Sequence, residues 1–355
     1  MRFHKTTRIL LLLLVSFSSA SLAAERYSVS KKSVEGHTTY HLLDSKLKLD
    51  LGLAPDVGNL AYELKMNGKD VLIPPDSFKS YLDKHWFCCG NPFLSPWANR
   101  IDHDYYYFQG KRYLLNDDLG NLLRDQFKQV IHGLLVFDRR WEVVKSGASD
   151  QEGAFVVSRL EFYRYPDLMA QFPFAHTIET TYRLKDGKLA NTTVVTNVSR
   201  APMPVMMAYH PYFRPDGPRE DWTLSVGTKT HWIPSKQLIS TGETEPIEKF
   251  LPGSAHLTLG KTFLDDVFSD FDRSKDGFGH ISVQGKTQKI EIVYGKELDF
   301  AVIYAPLDNT LICVEPQTGP TNSFNLNHEG KFAALAVLAP GKSFKATYWI
   351  VPTGY

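Results

Sequence analysis

The sequence predicts an all-β protein built as one large antiparallel β-sandwich, and three features of the chain indicate it. Strand patterns dominate the 355 residues, and tight turns connect many of them in pairs. No amphipathic helical pattern is convincing beyond about two turns. No linker rich in Pro, Gly or Ser divides the chain, so residues 25–355 are predicted to form a single domain.

Two hairpins carry the strand prediction most clearly. The segment LAYELKMNGKDVLI alternates apolar and polar residues around Asn67-Gly68, and TIETTYRLKDGKLANTTVVTNV does so around Asp186-Gly187. Both dipeptides suit two-residue turns, which need positive φ angles. Glycine turns interrupt three similar segments, YYYFQGKRYLL, ISVQGKTQKIEIVYG and FAALAVLAPGKSFKATYWIVP. DLGNLLRDQF, residues 118–127, could hold a short helix. Regular strands without alternating helices favour antiparallel sheets packed face to face over a parallel α/β sheet.

The first 24 residues have the pattern of a secretory signal peptide. Arg2, Lys5 and Arg8 precede the apolar run ILLLLLVSFSSA, and small residues follow, so cleavage is expected after Ala23 or Ala24. The apolar run is short for a membrane span, and no second long apolar segment follows it. We therefore expect a protein that is exported to the periplasm or secreted and that has no membrane contact after cleavage.

Composition excludes two other classes of protein. Hydrophobic residues make up 43% of the chain and aromatic residues 13%, which is enough for a sizeable core and excludes general disorder. The formal net charge of +1 comes without a basic tail or stripe, so no nucleic-acid partner is expected.

Cysteine and histidine usage predicts neither a disulfide framework nor a metal centre. A bridge from Cys88 or Cys89 to Cys313 could form in an oxidising compartment, but the fold cannot depend on it. The twelve histidines are scattered, without structural zinc spacing or an HExxH motif. The least poor metal candidate, DHD at 102–104, is better explained as a solvated turn. We expect no metal and no cofactor.

Five segments break the alternating pattern with polar groups that core packing does not require, and the first two are rich in possible sugar contacts. In SPWANRI, Trp97 offers a flat apolar face, while Asn99 and Arg100 offer directed hydrogen-bond donors. In VIHGLLVF, His132 precedes Gly133, which would let a ligand or another backbone come close. Taken alone, Arg100 could equally form a surface salt bridge, and His132 could be a core histidine.

The other three segments place titratable groups beside apolar strands. AYHPYF ends one strand at His210, and LICVEPQTGPTNSFNL ends another at Glu315, before Pro316. An ionised carboxylate that faces the interior is costly without partners, so Glu315 needs a hydrogen-bonding or functional reason. FLDDVFSDF carries Asp265 and Asp266, of which one points inward and the other outward if this chain is extended. Capping of a helix is the alternative.

Together, these segments resemble one known family. PWANRI, HG with a following W, YHPYF, DDVF and VEPQTGPTN occur in this order and at spacings similar to those of the aldose 1-epimerase (galactose mutarotase) family, from about residue 45 to the C terminus. The resemblance implies the galactose mutarotase-like supersandwich fold, which agrees with the hairpin pattern, and a small-molecule sugar substrate. YHPYF and PWANRI are more similar to the poorly assigned, exported bacterial branch of the family than to its galactose enzymes.

The resemblance also implies roles for individual residues. Glu315 would be the general base and His210 the general acid that interconvert the α and β anomers of a free aldose by ring opening and reclosure. With reference pKa values of about 4.3 and 6.5, the two groups would need little tuning near neutral pH. The residues implied to hold or support the sugar are Asn99, Arg100, His132 and Asp265, with Asp266 as the alternative to Asp265.

Other functions stay open at this point. A non-catalytic carbohydrate-binding protein would keep Trp97 and Arg100 but would not need an acid and a base. A glycoside hydrolase would use Asp265 and Glu315 as carboxylates separated by about 5–5.5 Å or about 6.5–9.5 Å. A hexose-phosphate mutarotase should show additional Arg or Lys around the cleft. The sequence predicts neither the preferred aldose nor the oligomeric state.

Overall fold

The structure is a computed structural model that describes residues 25–85, 88–308 and 310–355. The predicted signal peptide, residues 1–24, lies outside the described residues. In the described ranges, strands predominate and their ladders are antiparallel. This confirms the predicted all-β, antiparallel fold class.

The strands up to residue 197 are Tyr27–Val34 (β1), His37–Asp44 (β2), Leu49–Ala54 (β3), Leu60–Met66 (β4), Lys69–Asp70 (β5), Phe93–Leu94 (β6), Arg100–Ile101 (β7), Tyr105–Phe108 (β8), Lys111–Leu114 (β9), Leu123–Arg124 (β10), Val130–Ile131 (β11), Glu142–Ser149 (β12), Gly153–Leu160 (β13), His176–Lys185 (β14) and Lys188–Asn197 (β15). The later strands are Met203–Val205 (β16), Ala208–Tyr209 (β17), Tyr212–Phe213 (β18), Thr223–Val226 (β19), Thr228–Pro234 (β20), Ser240–Pro246 (β21), Leu257–Thr258 (β22), Leu264–Phe271 (β23), Gly279–Gln284 (β24), Lys289–Tyr294 (β25), Phe300–Ala305 (β26), Ile312–Gln317 (β27), Ala336–Leu338 (β28) and Ser343–Thr353 (β29). The α-helices are short: Phe78–Lys84 (α1), Pro166–Gln171 (α2), Ile247–Phe250 (α3) and Ser323–His328 (α4). Single 3₁₀ turns occur at Asp117–Leu119, Phe162–Arg164, Arg219–Asp221 and Ser254–His256.

Two large sheets form the sandwich. The first runs β12-β13-β14-β15-β29-β25-β24-β19-β22, and the second runs β21-β20-β23-β26-β27-β17-β6 with β18 also beside β27. Their inner faces meet where Tyr209 of β17 packs on Tyr348 of β29, with ring centroids 4.9 Å apart, and bonds the hydroxyl of Thr193 in β15. A third sheet, β1 to β5, contacts the β12–β14 end of the first sheet.

The predicted hairpins are present. Two-residue turns at Asn67-Gly68 and Asp186-Gly187 connect β4 to β5 and β14 to β15. All four turn residues have φ between 49° and 78°, as such turns require. Buried and half-buried residues alternate along β14, which is the pattern that the sequence showed.

The short helix that residues 118–127 could have held does not form. Only the 3₁₀ turn at Asp117–Leu119 forms, and β10 follows it. The side chain of Asn116 accepts from the backbone N–H of Asp118, and Asp125 accepts from Phe127. Such local bonds compete with helical hydrogen bonding, so this segment becomes a turn and a short strand.

No helix among residues 25–85, 88–308 and 310–355 is both long enough and apolar enough to cross a membrane.

Candidate active site

A cavity of about 530 Å³ opens beside strands β23, β26 and β27 of the second sheet. Six of the residues that the sequence singled out as candidates line it: Asn99, Arg100, His132, His210, Asp265 and Glu315. They come from segments spread over more than two hundred residues of sequence, so only the folded sheet brings them together.

The register of the second sheet explains why the two carboxylates face the cavity. Asp265 of β23 pairs with Tyr304 of β26, which in turn pairs with Cys313 of β27. Cross-strand partners lie on the same face of a sheet, and so do residues two apart on one strand. Glu315 follows Cys313 by two residues and therefore points to the same side as Asp265.

Asp266 points the other way. Its carboxylate lies 3.0 Å from Nε2 of the buried His231, whose Nδ1 lies 3.2 Å from Glu245. Asp265 is thus the carboxylate that lines the cavity, and both residues belong to strand β23 rather than to a helix cap.

His210 and Glu315 meet at a break in the second sheet. Strands β17 and β18 pair with β27 at Gln317 and at Cys313, which leaves Glu315 opposite the gap between them. His210 lies in that gap, and its Nε2 is 3.1 Å from Oε1 of Glu315. Gln317 donates to the other oxygen, Oε2, at 3.1 Å.

Glu315 was expected to end its strand before Pro316, and this expectation is wrong. Strand β27 continues through Pro316 to Gln317, and Pro316 pairs with Ala301 of β26. Proline cannot donate to a ladder, so it is tolerated where a neighbouring strand is interrupted. The gap that receives His210 provides such a place.

Tyr212 forms one wall beside the histidine. Its ring stacks on that of His210, with centroids 4.6 Å apart and planes inclined by 8°, and its hydroxyl is 3.4 Å from Nε2. Tyr209 instead faces the first sheet, so only one of these two tyrosines borders the cavity.

Burial dominates the electrostatics of the pair. Only 1% of Glu315 and 5% of His210 is exposed. Loss of hydration, with a further contribution from Asp265, raises the pKa of Glu315 well above its usual value. Burial lowers the pKa of His210 to about 3. Both shifts favour an uncharged pair with one proton between Oε1 and Nε2. The expectation that these groups need little tuning is therefore wrong.

Arg100 is the centre of a buried ion network. Its Nε donates to Asp125 at 2.6 Å, and its Nη2 donates to Asp265 at 3.2 Å. Asn99, in the left-handed region at φ 54°, turns its side-chain oxygen onto the backbone N–H of Arg100 at 2.8 Å. From the other side, the backbone N–H of Asn322 donates to the carbonyl of Arg100 at 2.9 Å. Arg100 is 5% exposed, so the surface salt-bridge alternative is wrong.

His132 also lines the cavity beside His210. Its backbone N–H donates to the carbonyl of Asn99 at 3.0 Å, and its ring meets that of His210 edge to face at 5.2 Å. Burial, together with the nearby His210 and Arg100, lowers the pKa of His132 well below its usual value. The imidazole is therefore neutral near pH 7 and can either donate or accept a hydrogen bond.

Gly133, which follows His132, allows two segments of backbone to lie close together. A Cβ on Gly133 would lie 2.3 Å from the carbonyl oxygen of Ser95, and the two residues form a β-bridge. The sequence allowed either a ligand or another part of the backbone to come close to Gly133. The structure shows that the Ser95 backbone does so.

Within the described ranges, no three His, Cys, Asp or Glu side chains are arranged to hold a metal ion. At the DHD segment, His103 and Asp102 form a solvent-exposed pair 3.6 Å apart. Cys88 and Cys313 are free thiols.

Comparison with known proteins identifies the family. The family model for aldose 1-epimerase matches residues 55–350, most of the chain. The chain belongs to the aldose 1-epimerase family. A galactose mutarotase-like protein from Clostridium acetobutylicum has the same fold, with a TM-score of 0.82, 20% identity, and coverage of 93% of this chain and 99% of that one.

Two further structures share the aldose 1-epimerase fold at lower similarity. The galactose 1-epimerase from Lactobacillus acidophilus NCFM has a TM-score of 0.72 and 14% identity, covering 93% of this chain and 99% of its own. An aldose epimerase homologue from C. elegans has a TM-score of 0.70 and 16% identity, covering 92% and 99%. At such identities these likenesses establish the fold.

The prediction that Trp97 contacts the sugar in this member of the aldose 1-epimerase family is wrong. Trp97 is 1% exposed and packs in the core near Tyr106, with ring centroids 6.5 Å apart, so it offers no face to the cavity. A tryptophan beside polar residues in a loop is compatible with either location, and packing decided between them.

Sequence reasoning also missed several residues of the site. Asp125 binds Arg100 from a loop in which its carboxylate also closes a turn, and nothing in the local sequence distinguishes it from other turn aspartates. Gln317 could have been found, because it follows Glu315 by two residues and such residues share one face of a strand. Tyr304 could have been found only from the pairing of β23 with β26.

Proposed function

We propose that this protein is an aldose 1-epimerase, or mutarotase, which interconverts the α and β anomers of a free aldose. The observation that carries the proposal is the contact of 3.1 Å between His210 Nε2 and Glu315 Oε1, buried at a cavity of about 530 Å³. A buried carboxyl group and imidazole that share one proton are suited to giving and taking protons around a single carbon.

The reaction needs two coordinated proton transfers. Ring opening requires a proton to leave the anomeric hydroxyl while another reaches the ring oxygen. With the shared proton on His210, Glu315 is the carboxylate that accepts the first, and the His210 imidazolium donates the second. Rotation about the C1–C2 bond then presents the other carbonyl face, and the reverse transfers close the ring as the other anomer. The pair keeps the same net charge throughout, which suits a buried site.

The surrounding groups would bind the sugar and stabilise charge. Arg100 and the neutral His132 would hold hydroxyls on the ring-oxygen side, and Asp265 would accept from sugar hydroxyls. Asn99 would support the site by holding the backbone of Arg100. The guanidinium of Arg100 would also stabilise negative charge that develops on oxygen in the transition state. The proposed chemistry calls on neither a metal nor an organic cofactor.

Two alternatives are less well supported. A binding protein would not need a buried acid and base in contact. A glycoside hydrolase would need a second carboxyl group free to act with Glu315, whereas Glu315 contacts a histidine and Asp265 is bonded to Arg100. We also propose export, on the basis of the signal-peptide pattern of residues 1–24.

Polarimetry of freshly dissolved α-D-glucose and α-D-galactose tests the proposal. The wild type should accelerate the change in optical rotation. Glu315→Gln and His210→Asn should each lower the rate by about 10²–10⁴-fold. Both variants should keep the thermal melting transition of the wild type. Failure of the wild type across a broad aldose panel would promote the binding-protein alternative, and cleavage of aryl glycosides would promote the hydrolase.

A further inference from the structure

Gln317 contacts Glu315 from behind the wall of the cavity. Its side-chain nitrogen donates to Oε2 of Glu315 at 3.1 Å, whereas His210 contacts the other carboxylate oxygen, Oε1. Gln317 is fully buried and lies outside the lining of the cavity, so its side chain does not meet a ligand there. Any influence of Gln317 on the chemistry must therefore pass through Glu315.

The second sheet holds Gln317 in a fixed place. Its backbone pairs with Phe300 of β26 on one side and with Ala208 of β17 on the other. Ala208 lies two residues before His210, so the strand that carries Gln317 also fixes the segment that leads to the histidine. Gln317 follows Glu315 by two residues, and both side chains project from the same face of β27. The contact between the two side chains is therefore built into the strand pairing.

The other end of the Gln317 amide points to function rather than to stability. Its carbonyl oxygen Oε1 is buried and has no hydrogen-bond partner among the described residues. An unpaired acceptor in the interior lowers stability. Turning the amide over would instead set this oxygen against Oε2 of Glu315, so that two acceptors would face each other. The contact with Glu315 therefore determines the orientation of the amide, although this orientation leaves the carbonyl oxygen unpaired.

We propose that Gln317 is a positioning residue that selects Oε1 of Glu315 as the oxygen that accepts the proton from the substrate. This rests on the proposed mutarotase function. An amide N–H that donates to Oε2 stabilises negative charge there and makes Oε2 the weaker base. The proton that leaves the anomeric hydroxyl then binds Oε1, while Nε2 of His210 releases its own proton to the ring oxygen. Both transfers occur at one end of the carboxyl group, and the charge of the pair is unchanged.

Steady-state kinetics of Gln317→Met test this role, because the substitution keeps the length of the side chain and removes the donor. We expect kcat of mutarotation to fall by about 10–100-fold, since the base loses a hydrogen bond to its charged form. KM should stay within about twofold, because Gln317 lies outside the cavity lining. If Gln317→Met does not fold, Gln317→Asn makes the same test, since its amide ends one methylene group short of Oε2. A kcat within about twofold of wild type overturns the proposal.

The pH profile separates positioning from a general structural defect. Burial, with a further contribution from Asp265, raises the pKa of Glu315, and the N–H of Gln317 opposes this rise. Without that donor the pKa rises further, so the acid limb of kcat/KM should move to higher pH by about one pH unit. An acid limb that does not move contradicts the proposal. The substitution leaves in place the other titratable and charged groups that interact with Glu315: His210, Asp265, Arg100, Tyr212, Tyr294 and Cys313.

Gln171 provides a matched control, because it is equally buried but lies outside the cavity lining. Its amide is paired at both ends, donating to Asn116 and Asn121 and accepting from the backbone N–H of Asn116. Gln171→Met should lower the melting temperature by several degrees and leave kcat within about twofold of wild type. Gln317→Met should lower kcat and change the melting temperature less. A larger fall in melting temperature for Gln317→Met than for Gln171→Met would assign Gln317 to the stability of the fold and overturn the proposal.

Infrared spectroscopy tests the contact without turnover. The protonated carboxyl group of Glu315 is identified as the C=O band in acid that Glu315→Gln removes. This band should move to higher frequency in Gln317→Met, because Oε2 loses its hydrogen bond. If no sugar is turned over but the band moves, the mutarotase proposal fails while the positioning assignment stands. If the wild type turns sugars over and neither kcat nor the band responds to Gln317→Met, the positioning assignment fails alone.

Discussion

His210 and Glu315 show, at the scale of single residues, how burial changes acid/base behaviour. Groups with ordinary pKa values of about 4.3 and 6.5 would share one proton only between those values. Burial raises the pKa of Glu315 and lowers that of His210, so the one-proton pair persists over a wider range. In acid, the pair gains a second proton and no longer contains a base. In alkali, it loses the shared proton and no longer contains an acid.

The first prediction is therefore a broad pH profile for mutarotation. We expect kcat/KM to stay within about threefold between about pH 5.5 and about pH 8.5, beyond the range that unperturbed groups would allow. Polarimetric rates, corrected at each pH for the uncatalysed and buffer-catalysed reaction, test this. A tenfold fall in kcat/KM between pH 6.5 and 8.5 would show that His210 titrates as an ordinary histidine.

The second prediction concerns Asp125, which positions Arg100 rather than touching the reacting atoms. Asp125→Ala removes the contact of 2.6 Å to Nε and lets the guanidinium move away from the sugar hydroxyls. We expect KM to rise by about tenfold with a smaller change in kcat, because substrate binding is weakened more than chemistry. Asp125→Asn, which keeps an acceptor, should recover part of the loss, and neither variant should alter the shape of the pH profile. Equal losses in kcat would place Asp125 in the chemical step instead.

Strand β23 shows, at the scale of an element, how pleating separates two adjacent carboxylates. Asp265 faces the cavity and Arg100, while Asp266 faces His231.

The third prediction uses the different environments of these two carboxylates. Asp265→Asn should lower kcat/KM by about tenfold or more with little loss of stability. Asp266→Asn should lower the free energy of unfolding by about 1–3 kcal/mol with little change in kcat/KM.

Urea denaturation and polarimetry on both variants measure the two effects separately. Because the two substitutions are chemically identical and adjacent, each serves as the control for the other. Similar effects of both on kcat/KM would contradict the assignment of the two faces.

The fourth prediction concerns the turn at Gly133, which joins β11 to the following loop beside His132. Gly133 has φ 70°, and an added Cβ would meet the Ser95 carbonyl oxygen at 2.3 Å. Gly110 has φ 76° but open space around the same position. Both substitutions to Ala incur backbone strain, so Gly133→Ala should lose about 1–3 kcal/mol more than Gly110→Ala, from overpacking. Equal losses in chemical denaturation would mean that the Ser95 backbone moves aside freely.

For the whole molecule, features that depend on neighbours in sequence were predicted well. The turns at Asn67-Gly68 and Asp186-Gly187 and the alternation along β14 follow from local rules, and the fold class follows from them. Features that depend on tertiary contacts were not accessible in this way. Local sequence could not show that Trp97 packs in the core or that Asp125 reaches Arg100. Family resemblance, rather than spacing, suggested that His210 and Glu315 act together.

The fifth prediction concerns the N terminus of the mature protein. Strand β1 begins at Tyr27, and Arg26 forms a bond of 2.8 Å to Asp44, so cleavage after Ala23 or Ala24 removes none of the described elements. We expect intact-mass measurement of the exported protein to show a chain that begins at Ala24 or Glu25. A chain produced without residues 1–24 should have the same specific activity. Export of a chain that keeps these residues would contradict the prediction.

The position of the last strand has a consequence for how this protein is made. Strand β29, residues 343–353, lies in the interior of the first sheet, between β15 and β25. Until it arrives, the two halves of that sheet have no strand to join them, and contacts so distant in sequence form slowly. The chain can thus complete its sandwich only after residues 343–353 have been synthesised. For a protein proposed to leave the cytoplasm, this order of events keeps the chain from folding fully until this late segment has been made.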